Sequence, residues 1–180
     1  LEISGELQFT KDTSAAPVNG WDVRLRVHDT RYAQYALEQA ELHIVTKDST
    51  AAIQGDLDTE HGRVGINAFV EGFLPEQMDI RAELQLTHVD LHEFVSPVPD
   101  SLSPLTGYVS VRGRDIASEL SRQITTVVYL NPFTLGHYQV DTLALRAALN
   151  ADHFLVDTLT VSGYGMSLDA EGEGELNGNV

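Results

Sequence analysis

The chain has 180 residues, of which 42% are hydrophobic and none is cysteine. It therefore has enough apolar surface to fold and cannot use disulfides, thiolate nucleophiles or cysteine-bound zinc. Eleven Lys and Arg against 27 Asp and Glu give a formal charge of −16. That field has the wrong sign for nucleic-acid phosphate, which excludes nucleic acid as a partner, and it opposes anionic lipid headgroups at long range.

No apolar run reaches the ~20 residues that span a bilayer as a helix. The first strand pattern starts at once, at Leu1-Glu2-Ile3-Ser4-Gly5, so any signal peptide is expected outside this stretch. The chain reads as a segment of a longer protein, with any membrane anchor expected outside it.

Taken in order, the dominant period is two. Ile3, Leu7 and Phe9 alternate with polar neighbours, and Trp21, Val23, Leu25 and Val27 alternate with Asp22, Arg24, Arg26 and His28, the signature of a half-buried strand. Tyr32, Tyr35, Ala36, Gln39 and Ala40 also fit a helical spacing, so 31–40 stays open, with strand expected from about Tyr35. Alternation resumes at Ala40-Leu42-Ile44, Ile53-Gly55-Leu57, Val64-Ile66-Ala68-Val70 and Ile80-Ala82-Leu84-Leu86. Asn19-Gly20 and Glu60-His61-Gly62 supply tight turns.

Residues 90–104 contain Pro97, Pro99 and Pro104 and read as a loop, opened by a helical turn carrying Leu91, Phe94 and Val95. That loop divides a single segment, 1–180, into sub-arrays 1–89 and 105–180. Val109 and Val111 begin the second, and Ile116, Leu120 and Ile124 leave 114–124 open between strand and helix. The last strands carry Leu143-Leu145-Ala147-Leu149, Leu159-Val161 and Met166-Leu168-Ala170. About ten such strands indicate an all-β antiparallel meander. Val140-Asp141-Thr142-Leu143 recurs as Val156-Asp157-Thr158-Leu159, 16 positions on. One irregular step before regular alternation predicts a β-bulge at each Asp-Thr pair, at the same level of the sheet.

An apolar face on every strand needs a cover. A barrel, a sandwich, or a sheet folded into a trough around a ligand would each supply one, and the pattern alone leaves the three open. Leu105-Thr106-Gly107-Tyr108-Val109-Ser110-Val111-Arg112-Gly113 resembles the "LxGxVxVxG" step of the AsmA-like superfamily, its TamB-type members above all. Tyr138 to Leu176 is similar to the TamB-type cadence of Asp-x-Leu-x-Leu followed by Leu-x-Ala-x-Gly, and Thr87-His88-Val89-Asp90-Leu91 matches its strand exit.

The resemblance implies an elongated, curved antiparallel sheet folded into a U-shaped trough (a β-taco) with an apolar interior and little helix. It also implies a Gram-negative envelope protein, periplasmic and anchored in the inner membrane. Such a protein moves phospholipid and supports outer-membrane assembly beside an outer-membrane β-barrel partner. The family brings no catalytic residues and no cofactor. The expected groove lining is Val109, Val111, Leu143, Leu145, Ala147, Leu149, Leu159, Val161, Met166 and Leu168. An unfilled groove favours groove-to-groove or edge-to-edge dimers. A sandwich interaction or adhesin-type module and a barrel-like carrier are the competing functions.

Polar constellations are weaker. His88, Asp90 and His92 would share a strand face, as metal ligands must, although Asp90 falls where the strand should end. Asp56, Asp58, Glu60 and Gly62 approach a calcium loop with the glycine one position late and Asn67 in place of the bidentate acid. Asp169, Glu171, Glu173 and Glu175 line one face of the last strand as a solvated, aggregation-resistant surface. No nucleophile elbow, phosphate loop or dinucleotide fingerprint is present, so no enzyme and no metal site are expected.

Overall fold

A computed structural model describes residues 2–10, 20–32, 35–72, 78–91, 101–116, 118 and 121–175. Eleven strands form one antiparallel sheet in strict chain order: β1 (Glu2–Thr10), β2 (Gly20–Tyr32), β3 (Tyr35–Lys47), β4 (Thr50–Thr59), β5 (Gly62–Glu71), β6 (Asp79–Val89), β7 (Leu105–Arg114), β8 (Gln123–Leu130), and then β11 (Thr142–Asn150), β12 (His153–Gly163) and β13 (Met166–Glu175). Between β8 and β11 a two-stranded hairpin, β9 (Phe133–Leu135) and β10 (Tyr138–Val140), leaves the sheet. The first and last strands do not pair with each other, so the sheet is not closed into a barrel.

Turn chemistry fixes the register. Lys47 pairs with Thr50, Asn150 with His153 and Gly163 with Met166, each closing a two-residue loop. Asp48, Ala151 and Tyr164, at the first loop position, have φ near +50°, the primed-turn geometry whose twist matches that of the flanking strands. Between β4 and β5 the Thr59 hydroxyl donates to the Gly62 carbonyl (3.0 Å) and accepts the His61 N–H (3.1 Å). Gly62 has φ +121°, and a Cβ there would run into the His88 carbonyl and Val89. Only glycine suits that crossing.

Residues 31–32 and 35–40 are strand, with Tyr35 opening β3 and pairing with Tyr32, and 33–34 lie outside the described residues. Of 114–124, Arg114 ends β7 and β8 begins at Gln123; between them Ser118 N–H donates to the Asp115 carbonyl (2.8 Å) and Arg122 N–H to the Ser118 carbonyl (2.9 Å), while residues 117, 119 and Leu120 lie outside the described residues. Of the loop 90–104, Asp90, Leu91 and 101–104 are described; Phe94, Val95, Pro97 and Pro99 lie outside the described residues, as does Asn19. On either side of that loop β6 and β7 pair directly, so the sheet runs through both sub-arrays.

The repeat behaves asymmetrically. Arg146 faces Thr158 while Ala147 faces Val156, which leaves Asp157 as the extra residue of a bulge in β12. The equivalent Asp141 is a bend between β10 and β11, its N–H donating to the Ser162 carbonyl (2.7 Å). The two do not share a level of the sheet. Both motifs sit in one antiparallel hairpin, whose arms run in opposite directions, so equal positions along the chain fall at different heights. A second bulge interrupts β6 between Leu86 and Val89, with His88 at φ +52°.

Among the described residues only Ala51, Val89, Leu105, Leu130 and Phe133 are buried apolar side chains. The last three form one cluster with Leu86, Leu91, Leu102, Val128, Val140 and Leu143 packed against it. The β9–β10 hairpin builds this corner. It is pinned by the Ser103 N–H to the Thr134 carbonyl (2.9 Å), the Thr134 N–H to Ser103 Oγ (2.8 Å) and the Gly136 N–H to the Ser101 carbonyl (2.9 Å).

Phe133 is the anchor of that corner, so Phe133→Ala is expected to destabilise the fold by about 3 kcal/mol, a cavity-forming loss. Tyr138→Ala, in the same hairpin at 71% exposure, should change stability by less than about 0.5 kcal/mol. Chemical denaturation of the two variants side by side measures both. Equal effects would show that the hairpin does not pack on the sheet through Phe133.

Candidate functional site

In an antiparallel ladder, register partners project from the same side of the sheet. Leu25 pairs with Leu42, Leu42 with Gly55, Gly55 with Ile66, Ile66 with Leu84 and Leu84 with Val109. The row continues from Val109 to Val128, Leu145, Leu159 and Ala170. One uninterrupted apolar row thus crosses the sheet from β2 to β13.

Two further rows flank it on the same face. One runs Val23, Ile44, Ile53, Ala68, Ala82, Val111, and on through Thr126, Ala147 and Val156. The other runs Val27, Ala40, Leu57, Val64, Leu86, Gly107, and on through Leu130, Leu143, Val161 and Leu168. A fourth, shorter row holds Val70, Ile80, Ile124, Leu149 and Phe154.

The ten residues named from the sequence all fall on this face, Met166 joining it through its pairing with Gly163. Leu143 differs from the rest because it packs against the hairpin cluster. Met166 and Leu168, on the last strand, are 72% and 63% exposed. The ten are the β7–β13 half of a face that continues through β2–β6, where the alternation is as legible. Val128 was hidden in Ile124-Thr125-Thr126-Val127-Val128, a β-branched run with no contrast between its two sides.

The face is large. Strand spacing of about 4.8 Å and a two-residue repeat of about 6.8 Å give an apolar area on the order of 1,000 Å². Soluble monomers rarely leave more than a few hundred Å² of contiguous apolar surface. Among the described residues the hairpin corner covers one end of it and Ile116 lies over Gly113 in the fourth row, and no side chain is completely buried. Most of the face is half-buried, shielded by cross-strand neighbours and not by a second layer.

The opposite face is polar and laced with ion pairs. Arg26 holds Glu41 (2.9 Å), Arg63 reaches Asp56 and Asp58 (3.3 Å each), His43 meets Asp22 (2.8 Å) and Arg146 meets Asp157 (3.3 Å). All are exposed enough that each contributes about 0–1 kcal/mol. Tyr108 and Tyr129, register partners, stack with centroids 5.8 Å apart.

The polar constellations resolve into ladder and turn contacts. Asp56 and Asp58 lie along β4 against Arg63, Glu60 sits in the turn beside His61 (3.4 Å), and Asn67 pairs with Gln54 farther up β5, so these groups do not converge. The β6 bulge breaks the alternation at His88, whose N–H donates to Thr106 Oγ1 (3.0 Å), and Asp90 N–H donates to the His61 carbonyl (2.8 Å). His92 lies outside the described residues. Asp169 accepts from the Thr160 hydroxyl (2.6 Å) and Glu175 meets His153 (3.4 Å), while Glu171 and Glu173 are exposed. No group of three or more ligating side chains that could hold a metal ion occurs among the described residues.

No protein-family model, characterised protein or solved structure matches the chain.

Proposed function

We propose that the chain is a segment of a lipid-transfer conduit spanning the Gram-negative cell envelope. In this reading the sheet folds lengthwise into a U whose inside is the apolar face. Phospholipid acyl chains lie in it between the inner and outer membranes, and the flow supports outer-membrane assembly. The segment is periplasmic and carries out no catalysis. Its inner-membrane anchor belongs to another part of the protein, and an outer-membrane β-barrel assembly protein receives the lipid.

The observation that carries this reading is the apolar face itself, continuous over the sheet and covered by protein, among the described residues, at the hairpin corner and beneath Ile116 while its middle rows stay open. Each acyl CH₂ removed from water contributes roughly 0.8 kcal/mol, so ten methylenes on the face give roughly 8 kcal/mol without any polar contact. Half of a bilayer's hydrocarbon core is about 15 Å thick, and the three longest rows together span about 14–20 Å along the strands, so an acyl chain fits across the lining. The aliphatic lining offers no site tight enough to stall a passing lipid.

Photo-crosslinking residues at Leu145 and Leu159 are expected to capture lipid in cells, while residues at Arg146 and Thr160, on the other face, should not. A self-packed sandwich module gives crosslinks from Leu145 to protein only, and that pattern defeats the conduit. Native mass spectrometry of the purified segment should find retained phospholipid. A lipid-free preparation should bind a hydrophobic dye or dimerise through the same face.

Leu145→Glu or Val161→Glu should abolish transport by placing a charge on the lipid path, with the circular-dichroism spectrum still that of β-sheet. Ala144→Glu is the matched control, since Ala144 pairs with Tyr129 and Thr160 on the polar face. Thr160→Glu is a poorer control, because it would set a carboxylate against Asp169, the present partner of the Thr160 hydroxyl. Equal transport by Leu145→Glu and Ala144→Glu would refute the assignment of faces.

A further inference from the structure

We propose that the polar face carries a binding site for a compact phosphate-class anion, formed by Arg81, Arg112 and Arg114. Arg81 on β6 and Arg112 on β7 are direct register partners, so two exposed guanidinium groups stand opposite each other. Arg114 follows two residues along β7 on the same face. Like charges placed directly across a ladder repel. An acidic chain has ample carboxylates to separate them, yet here it does not.

The other arginines with described side chains all have partners. Arg24, Arg26, Arg63 and Arg146 make ion pairs, and Arg122 donates to the Ala151 carbonyl (2.8 Å). Arg81, Arg112 and Arg114 make no side-chain hydrogen bond or ion pair among the described residues. Among the described arginine side chains, those left without any partner are therefore gathered in one place.

That place is concave. A hollow of about 360 Å³ is lined by the three arginines together with Gln123, Thr125 and Asp79. Thr125 faces Arg112 and Gln123 faces Arg114 across β7–β8, which adds a hydroxyl and an amide to the guanidinium donors. Guanidinium forks match the oxygens of phosphate in pairs, and neutral donors complete the shell. Asp79 on the rim and Glu83, two residues beyond Arg81, form no ion pair with the cluster; they would repel a long polyanion passing across it. A small anion fits because charges beyond the Debye length of about 10 Å at 0.1 M salt are screened, which keeps the chain's overall negative charge from reaching into the hollow. This site lies on the face opposite the apolar rows and stands independently of the lipid reading.

Inorganic pyrophosphate is the probe, titrated calorimetrically into the folded chain at 0.1 M salt. Saturable binding with a Kd of about 1 mM or tighter is expected, weakened about tenfold or more in Arg112→Gln and unchanged in Arg26→Gln. Arg112→Lys, which keeps the charge and loses the fork, should fall between. Thermal melts guard against misfolding. Without anion, Arg112→Gln should melt no lower than the parent, since a repulsive pair is gone, and pyrophosphate should raise the melting temperature of the parent alone.

Flotation with vesicles separates two sources of phosphate. Association with phosphatidylglycerol vesicles that pyrophosphate competes away and Arg112→Gln abolishes assigns the site to a lipid headgroup. Pyrophosphate binding without vesicle association assigns it to a free phosphate compound. Absence of saturable pyrophosphate binding, or equal affinity in Arg112→Gln, overturns the proposal.

Discussion

Register governs everything else in this molecule. Each of the side chains on a strand belongs to one of two faces, and a slip of a single residue at any pairing would send every later apolar row to the polar side. The row from Leu25 to Ala170 holds across successive ladders because the turns leave little freedom. Two-residue loops at Asp48, Ala151 and Tyr164 admit only one pairing each. Where β12 does carry an extra residue, at Asp157, the bulge absorbs it, and Val156 and Leu159 both remain on the apolar face.

Stability is consequently spread along the ladders rather than concentrated in a centre. A folded domain normally sets a second layer over its apolar face, and among the described residues the hairpin after β8 does so over one corner, with Ile116 over Gly113. Leu105, Leu130 and Phe133 are packed there as in an ordinary core, while the rows away from it rest on neighbours to either side. The polar face contributes solubility and a set of weak ion pairs. The two faces thus differ in character, one made of aliphatic side chains and the other of charged and polar ones.

Alternation made β2 to β6 legible because Val, Leu and Ile faced Arg, Asp and Gln at every second position. It failed at β8, where Thr125 and Thr126 are adjacent and Val127 stands on the polar face beside Ser110 and Arg146. β-Branched residues suit a strand on either side, so the run has propensity but no period. The β9–β10 hairpin was illegible for another reason: strands of three residues give periodicity nothing to act on, and the bridge between Leu102 and Leu135 joins residues far apart in the chain. The bulge at Asp157 was readable from its irregular step, whereas the copy at Asp141 took its form from the strand junction that the sequence concealed. The arginine cluster could not be seen in the sequence at all, because Arg81 and Arg112 meet only through the pairing of β6 with β7 across the proline-containing loop.

Strand order in the sheet is the order of synthesis, and that has a mechanical consequence. Each strand of the sheet docks on the sheet strand made before it, β11 reaching back past the hairpin to β8, so the sheet grows by nearest-neighbour addition, much as repeat proteins do. Loop closure is shortest at the two-residue turns and longest between β6 and β7, and because its entropy grows only slowly with length no step is costly. A chain emerging end first through a narrow pore can then fold strand by strand without waiting for its distant end. The same geometry sets its response to load. Tension applied between the two ends would open the ladders one at a time from an edge, like a zip fastener, and never shear them all at once.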